Sequence, residues 1–241
     1  IWVPANTVLT IAGDIDLVEA EAATRRWFDG WRPGGRPPVA PTKKSDRAAD
    51  APVPVVTTAR PGARQITLEI ACAVPLADPT DLVATNIVGN RSATRLNQTS
   101  RLVLGATYGF QHQIRIVGGQ GEIRVHGALE ERALARILAL ARTQTAGLGQ
   151  APSPEDLSRY VWREGIQSSA RLERATSLGR AIADLRLASL PAETYERYPE
   201  LLKALRAEDV ARAGEACRRT AVISLLGDPA ALDRAIKATG G

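Results

Sequence analysis

The chain has 241 residues, of which 44% are hydrophobic and 24% charged, and its formal net charge is +5. This length and composition are typical of a globular protein with one large domain or two small ones. No apolar run approaches the roughly 18 residues of a membrane-spanning helix. The sequence therefore predicts no membrane span. The arginines are spread among acidic residues instead of forming a basic block, so the sequence predicts no nucleic-acid partner either.

The N-terminal segment predicts one strand and one helix. Residues 7–12 (TVLTIA) form a short apolar, β-branched run, which predicts a buried strand. Asp16, with Glu19 at the third helical position, predicts the capped start of a helix that ends near Phe28. The chain opens without a methionine, and we expect it to be a fragment or a processed product with no signal peptide in view.

Residues 32–54 hold six of the 15 prolines and predict a long, extended loop. One strand and one helix before this loop are too few to form an independent core. We therefore expect the loop to lie inside a single domain that covers residues 1–241, and not between two domains.

Strands are predicted next at 53–59 and 65–74, and the second of these alternates cleanly between apolar and polar residues. A hairpin around Gly118 and Gly119 is expected to join strands 107–116 and 120–127. In the first hairpin strand, alternation places five side chains on one face. They are Tyr108, Phe110, His112, Ile114 and Ile116.

Helices are predicted where capping residues precede an amphipathic pattern. Asp78 and Pro79 begin a helical segment that is expected to end at Gly89, and a second segment reaches Leu102. The rest of the chain is mostly helical, apart from a last apolar strand at 220–226. Because hairpins and crossovers are mixed, we predict an α+β fold: a single layered domain with a mixed, largely antiparallel sheet packed against several helices.

The cysteines and histidines do not form a metal-ligand pattern. Cys72 and Cys217 stand in no C-x-x-C pair, so we expect a buried free thiol at Cys72 and leave a disulfide open. His112 and His126 have opposite parity in adjacent strands, whereas a zinc site needs three or four convergent ligands. We predict a packed His112, a surface His126 and no metal site.

Common catalytic motifs are also absent from the sequence. It contains no Walker A motif, no G-x-S-x-G and neither H-E-x-x-H nor H-x-x-E-H. The chain by itself therefore has no predicted catalytic residue and no predicted cofactor.

The stretch 96–116 is the most promising part of the chain for a contact with substrate. It predicts a helix end, a glycine turn at Gly105 and a strand start. Arg101 lies near the helix end and Tyr108 near the strand start, so the turn is expected to bring both side chains to one lip of the sheet. Alternatively, the glycine and the tyrosine only set the geometry between helix and strand.

Several motifs, in the same order along the chain, resemble the insulinase/pitrilysin zinc metallopeptidases, which include the mitochondrial processing peptidase. The opening VPANTVLTIAGDID is similar to the entry of that family's second domain, Y-x-P-x-N-x-x-L-x-x-x-G-D-x-D. WFDGW, at 27–31, resembles the family's F-G-x-W. RLNQTSRLVLGATYG, at 95–109, resembles S-R-L-x-x-x-L-R-E-x-x-G-x-x-Y. The resemblance covers nearly the whole chain.

The resemblance implies the second, inactive domain of a clamshell that closes around an unfolded peptide. The zinc motif H-x-x-E-H and the zinc itself would belong to a homologous catalytic domain or subunit, and this chain would hold no zinc. Arg101 and Tyr108 are seven residues apart and match the family's substrate-contacting Arg and Tyr. A guanidinium can hold a peptide carbonyl, and a phenol can donate to an oxyanion.

Two departures and one alternative accompany this prediction. Leu102 and Leu104 replace an acidic and a basic residue of the family pattern. The competing function is a structural subunit that resembles the core proteins of respiratory complex III and has no role in proteolysis. The compartment is left open, with the bacterial envelope favoured over the cytoplasm.

Overall fold

One five-stranded sheet organises the fold, which a computed structural model describes for residues 3–4, 7–32, 34, 51–105 and 107–240. The strands are β1 (Val55–Ala59), β2 (Gln65–Pro75), β3 (Gln111–Val117), β4 (Gln120–Glu130) and β5 (Val222–Gly227). Their order is β1-β5-β2-β4-β3. β1 runs parallel to β5, and the other neighbours are antiparallel. This mixed, largely antiparallel sheet with its helices confirms the predicted fold class.

Eight α-helices are present in the described part of the chain. They are α1 (Leu17–Phe28), α2 (Pro79–Asn97), α3 (Leu134–Ala146), α4 (Pro154–Leu172), α5 (Ala175–Leu187), α6 (Tyr198–Ala204), α7 (Ala207–Thr220) and α8 (Pro229–Ala238). Short 3-10 turns occupy Glu131–Ala133 and Ala192–Thr194, and a π-helical turn, Gln98–Val103, follows α2.

Helices cover one face of the sheet. α2 packs on β3 and β4, α7 on β2, and α8 on β1 and β5. The strand side chains on this face are buried, among them Leu68, Val125 and Ile223. The residues that alternate with them are only half-buried or exposed. The alternation predicted for β2 is therefore confirmed, and the second face of the sheet carries no helix from the described residues.

α2 is one continuous helix, where the sequence predicted two segments separated at Gly89. The side chain of Asp78 caps its start by accepting hydrogen bonds from the backbone N–H groups of Thr80 and Asp81. A Cβ on Gly89 would lie 3.0 Å from the His112 ring and 3.2 Å from Ile114. Glycine therefore lets the helix approach β3 closely and does not end it, and His112 is packed, as predicted.

The predicted strand at 7–12 is absent. This segment has no regular secondary structure, and its apolar side chains, including Leu9 and Ile11, are exposed. It lies against α5, where the Cβ of Ala12 is 3.0 Å from the position that a Cβ on Gly179 would occupy. A β-branched run favours extended backbone, but a strand also needs a partner edge, and here the segment contacts a helix instead.

Cys72 and Cys217 form a disulfide, so the expected free thiol at Cys72 is wrong. α7 packs on β2 and brings the two Cα atoms to 5.0 Å, a separation typical of a disulfide. Both cysteines are buried. The sequence could not predict the pairing because the residues are 145 positions apart.

The predicted loop at 32–54 lies mostly outside the described residues, and the assignment of 1–241 to one domain stays a prediction. Among the described helices, none has the length and apolar character needed to cross a membrane.

Candidate functional site

The segment between α2 and β3 carries both predicted substrate-contacting residues. α2 continues into the π-helical turn that contains Arg101. Within this turn, the backbone N–H of Leu104 donates to the carbonyl of Thr99 at 3.1 Å, and that of Gly105 donates to the carbonyl of Arg101 at 3.2 Å. Gly105 then reverses the chain with a φ of +58°. π-helical turns inside α-helices are frequent at functional sites.

The side chain of Asn97, at the end of α2, joins the two ends of this segment. Its amide nitrogen donates to the carbonyl of Phe110 at 2.8 Å, and its amide oxygen accepts from the N–H of Phe110 at 2.5 Å. Asn97 thus acts on Phe110 as a neighbouring strand would. No local sequence pattern singles out Asn97, although it lies within residues 95–109, the stretch that resembles the family motif.

A β-bulge displaces Tyr108 from the strand in which it was predicted. Thr107 pairs with Leu129, and the next pair joins Gln111 to His126. The pairing thus advances from 107 to 111 on one strand but only from 129 to 126 on the other, which leaves one extra residue. Tyr108 is 93% exposed, whereas Phe110 is buried.

The predicted common face is therefore correct for Phe110, His112, Ile114 and Ile116 and wrong for Tyr108. Gly109 adopts a φ of +136° within the bulge, a conformation that is rare for other residues. On the opposite strand, a Cβ on Gly127 would lie 2.9 Å from both the carbonyl oxygen of Gly109 and the Phe110 ring. A glycine inside a strand pattern often marks a bulge, so Gly127 is the signal in the sequence that could have revealed this one.

Arg101 and Tyr108 both have exposed side chains. Their backbones lie in the segment whose two ends Asn97 joins, on either side of Gly105. Neither side chain forms a hydrogen bond or an ion pair with another residue in the described ranges. Leu104, one of the two departures from the family pattern, is partly buried against the hydrophobic core. This arrangement leaves a guanidinium and a phenol available to a ligand.

The uncovered face of the sheet carries an ion-paired cluster. The guanidinium of Arg124 donates to one carboxylate oxygen of Glu69 at 2.7 and 3.2 Å and lies 3.9 Å from Glu122. The hydrogen bond with Glu69 raises the pKa of Arg124 above its ordinary value. His126 stands opposite Glu69 in the register of β2 and β4, on the same face. Such a surface can offer both donors and acceptors to a peptide backbone.

Two adjoining cavities lie on the helix side of β3, which is an edge strand. One, of about 560 Å³, is bounded by α2, α5 and β3 and includes Asn86, Arg180 and Asp184. Burial raises the pKa of Asp184, and Arg180 and Arg115 oppose this shift. The other cavity, of about 450 Å³, shares His112 with the first and extends to Asn97 and Phe110. The second cavity therefore reaches the base of the Arg101–Tyr108 segment.

The described residues do not bring together three of the side chains that usually hold a metal ion, His, Cys, Asp or Glu. His112 and His126 lie on opposite faces of the sheet, because they occupy positions of opposite parity in β3 and β4. The two histidines therefore cannot converge on one ion.

The family model of the peptidase M16 inactive domain matches residues 1–163 of the chain. The fold is similar to that of the peptidase M16 inactive domain from Pseudomonas fluorescens, with a TM-score of 0.64 at 21% identity over 90% of this chain and 52% of that one. No curated protein is similar enough in sequence to be matched.

Two other solved structures have a similar fold at lower identity. The periplasmic protease PqqL from Escherichia coli has a TM-score of 0.58 at 15% identity, over 90% of this chain and 24% of that one. A chain of complex III2 from Candida albicans has a TM-score of 0.62 at 14% identity, over 77% of this chain and 49% of that one. The present chain thus spans about a quarter to a half of the length of these proteins.

The family model covers more than half of the 241 residues, and the fold is similar to that of the Pseudomonas domain. The chain therefore belongs to the peptidase M16 inactive-domain family, the group of insulinase-type proteins that its motifs resemble.

Proposed function

We propose that this chain is the non-catalytic half of an insulinase-type zinc metallopeptidase. It forms one wall of a peptide-binding chamber, and Arg101 and Tyr108 contact the substrate next to a zinc ion held by a homologous domain or subunit. One observation carries this proposal. Two side chains suited to a peptide carbonyl and to a developing oxyanion are exposed on a backbone segment that is fixed at both ends.

The uncovered face of the sheet supports the role of chamber wall. It presents the cluster of Glu69, Glu122, Arg124 and His126 without a covering helix from the described residues. Extended peptides expose a regular row of backbone donors and acceptors, which such a polar face can bind.

Exposed apolar side chains near the N-terminus support the proposal that a partner domain binds this chain. α1 buries none of its residues, and Leu17, Val18 and Trp27 are each about three-quarters exposed, at 74, 76 and 74%. An apolar surface of this kind marks an interaction site. The net charge of +5 favours a partner with a more acidic surface.

The test uses the chain assembled with a partner that carries H-x-x-E-H and zinc. Arg101→Ala and Tyr108→Phe are each expected to lower kcat/KM for a fluorogenic peptide. If the residue contacts the oxyanion, the decrease should correspond to a loss of about 2–4 kcal/mol of transition-state stabilisation. Arg136→Ala removes an exposed arginine from α3 and serves as the matched control. Unchanged kinetics for both site variants would demote Arg101 and Tyr108 to structural residues.

The alternative is a scaffold subunit without a role in proteolysis. The similarity of fold to a chain of complex III2 supports this alternative, as do the two departures at Leu102 and Leu104. A scaffold would need no zinc-bearing partner, so failure to find a partner with H-x-x-E-H, either upstream in the same polypeptide or as a separate subunit, would decide for it.

A further inference from the structure

We propose that Asn97 is the positioning residue for Arg101 and Tyr108. The inference rests on the proposed function, since it assigns to Asn97 the task of holding the two substrate-contacting residues in place. Asn97 itself does not contact the substrate in this proposal. It acts through the backbone segment 98–109.

The two hydrogen bonds of Asn97 close this segment at its base. The 2.8 Å bond to the carbonyl of Phe110 and the 2.5 Å bond from its N–H fix residue 110 against the end of α2. Without them, the end of α2 and the start of β3 would be linked by side-chain packing but not by these two directional hydrogen bonds. Asn97 is half-buried and Phe110 is buried, so both hydrogen bonds are partly shielded from water, which strengthens them.

Each half of the segment is then held by a second contact. On the Arg101 side, the π-helical turn is kept by the hydrogen bonds from Leu104 and Gly105. On the Tyr108 side, the hydroxyl of Thr107 donates to the carbonyl of Ala128 at 2.5 Å. The base, the helical half and the strand half are therefore all fixed, while the side chains of Arg101 and Tyr108 remain exposed.

The side-chain amide of Asn97 supplies a donor and an acceptor to the same backbone residue at once. Asn97→Asp keeps an acceptor for the N–H of Phe110 but loses the donor to its carbonyl. Asn97→Leu has a similar shape and loses both. The two variants therefore form a graded series that changes hydrogen bonding more than volume.

The first measurement uses the chain alone and does not depend on peptidase activity. Hydrogen–deuterium exchange of the Phe110 amide should be slow in the wild type, because that N–H is bonded to Asn97. We expect faster exchange in Asn97→Asp and the fastest in Asn97→Leu, while the core strands β2 and β4 keep their protection. Equal exchange in all three proteins would overturn the proposal.

The second measurement uses the chain assembled with its catalytic partner and a fluorogenic peptide. We expect Asn97→Leu to lower kcat by about tenfold or more with little change in KM, because misplaced contacting groups weaken the transition state. In the Arg101→Ala/Tyr108→Phe background, the same substitution should have less than about a twofold effect, since the groups it positions are already gone.

Thr220→Val is the matched control. The Thr220 hydroxyl also bridges the N–H and the carbonyl of one strand residue, Ala73, at 2.8 and 3.0 Å. Its loss should lower stability and leave kcat unchanged. An equal effect of Asn97→Leu in both backgrounds would show a merely structural role and overturn the proposal. If Arg101 and Tyr108 prove dispensable, the proposed function fails, whereas the exchange result at Phe110 is unaffected.

Discussion

Removal of the Cys72–Cys217 disulfide should strongly destabilise the protein. The disulfide joins β2 to α7 across 145 positions of the 241-residue chain, so it restricts about three-fifths of the unfolded chain. In the chain-entropy description, a closed loop of about 145 residues lowers the entropy of the unfolded state by roughly 17 cal/mol/K, or about 5 kcal/mol at 25 °C.

Measured effects of disulfides are usually smaller than this limit. We expect Cys72→Ala/Cys217→Ala to lower the free energy of unfolding by about 2–5 kcal/mol. Because domains of this kind are typically stable by only about 5–15 kcal/mol, the change is large. It should appear in urea unfolding monitored by circular dichroism, as a lower midpoint together with a larger slope, since the unfolded chain becomes more open.

Chemical reduction separates the effect of the disulfide from that of the cavity that the alanines leave. Wild type that is reduced while unfolded and then refolded should have a lower free energy of unfolding. The same treatment should leave the double variant unchanged, because only the wild type has a disulfide to reduce. Under native conditions the reaction should be slow, since the two cysteines are only 5% and 1% exposed. The reasoning is refuted if the unreduced protein, unfolded in denaturant, titrates with two free thiols, or if reduction changes the free energy of unfolding by less than about 1 kcal/mol.

Two further predictions concern stability. Gly89→Ala should destabilise the protein by about 1–3 kcal/mol in urea unfolding, because the new Cβ would lie 3.0 Å from the His112 ring. Gly165→Ala is the contrasting case, since the nearest atom to the new Cβ is 3.9 Å away. This substitution should stabilise α4 by about 0.5–1 kcal/mol. Hydrogen bonds from Arg218, and then from Arg219, lower the pKa of Glu215 from 4.5 to about 2; this stabilisation is present above pH 4.5 and is lost as the pH falls towards 2. The side chain of Glu215 is 34% exposed, so the loss of stability should be modest. Glu215→Gln should weaken the dependence of the free energy of unfolding on pH between 4.5 and 2. An unchanged dependence would contradict this role of Glu215.

The disulfide also bears on the compartment. Disulfides persist in oxidising compartments and are rare in the cytosol. We therefore expect thiol trapping to find Cys72 and Cys217 oxidised when the chain is exported to a bacterial envelope and reduced when it is retained in the cytoplasm. Oxidation in both compartments would remove this support for the envelope.

The sequence by itself determined the features that depend on neighbouring residues. Alternation predicted the buried face of β2, and Asp78 with Pro79 predicted the start of α2. These patterns are local, since side-chain direction and helix capping are set within a few residues. The family motifs, which also depend only on the order of residues along the chain, gave the correct family.

Only the tertiary structure decided the features that depend on distant contacts. The segment 7–12 has the composition of a strand but lies against α5. Cys72 and Cys217 meet because α7 packs on β2. Tyr108 leaves the face predicted by alternation because a bulge opposite Gly127 inserts one residue, and Asn97 joins the segment ends through a contact 13 positions away. A period of two or 3.6 residues carries no information on pairing register or on which element packs on which, and these contacts place Arg101 and Tyr108 at the surface.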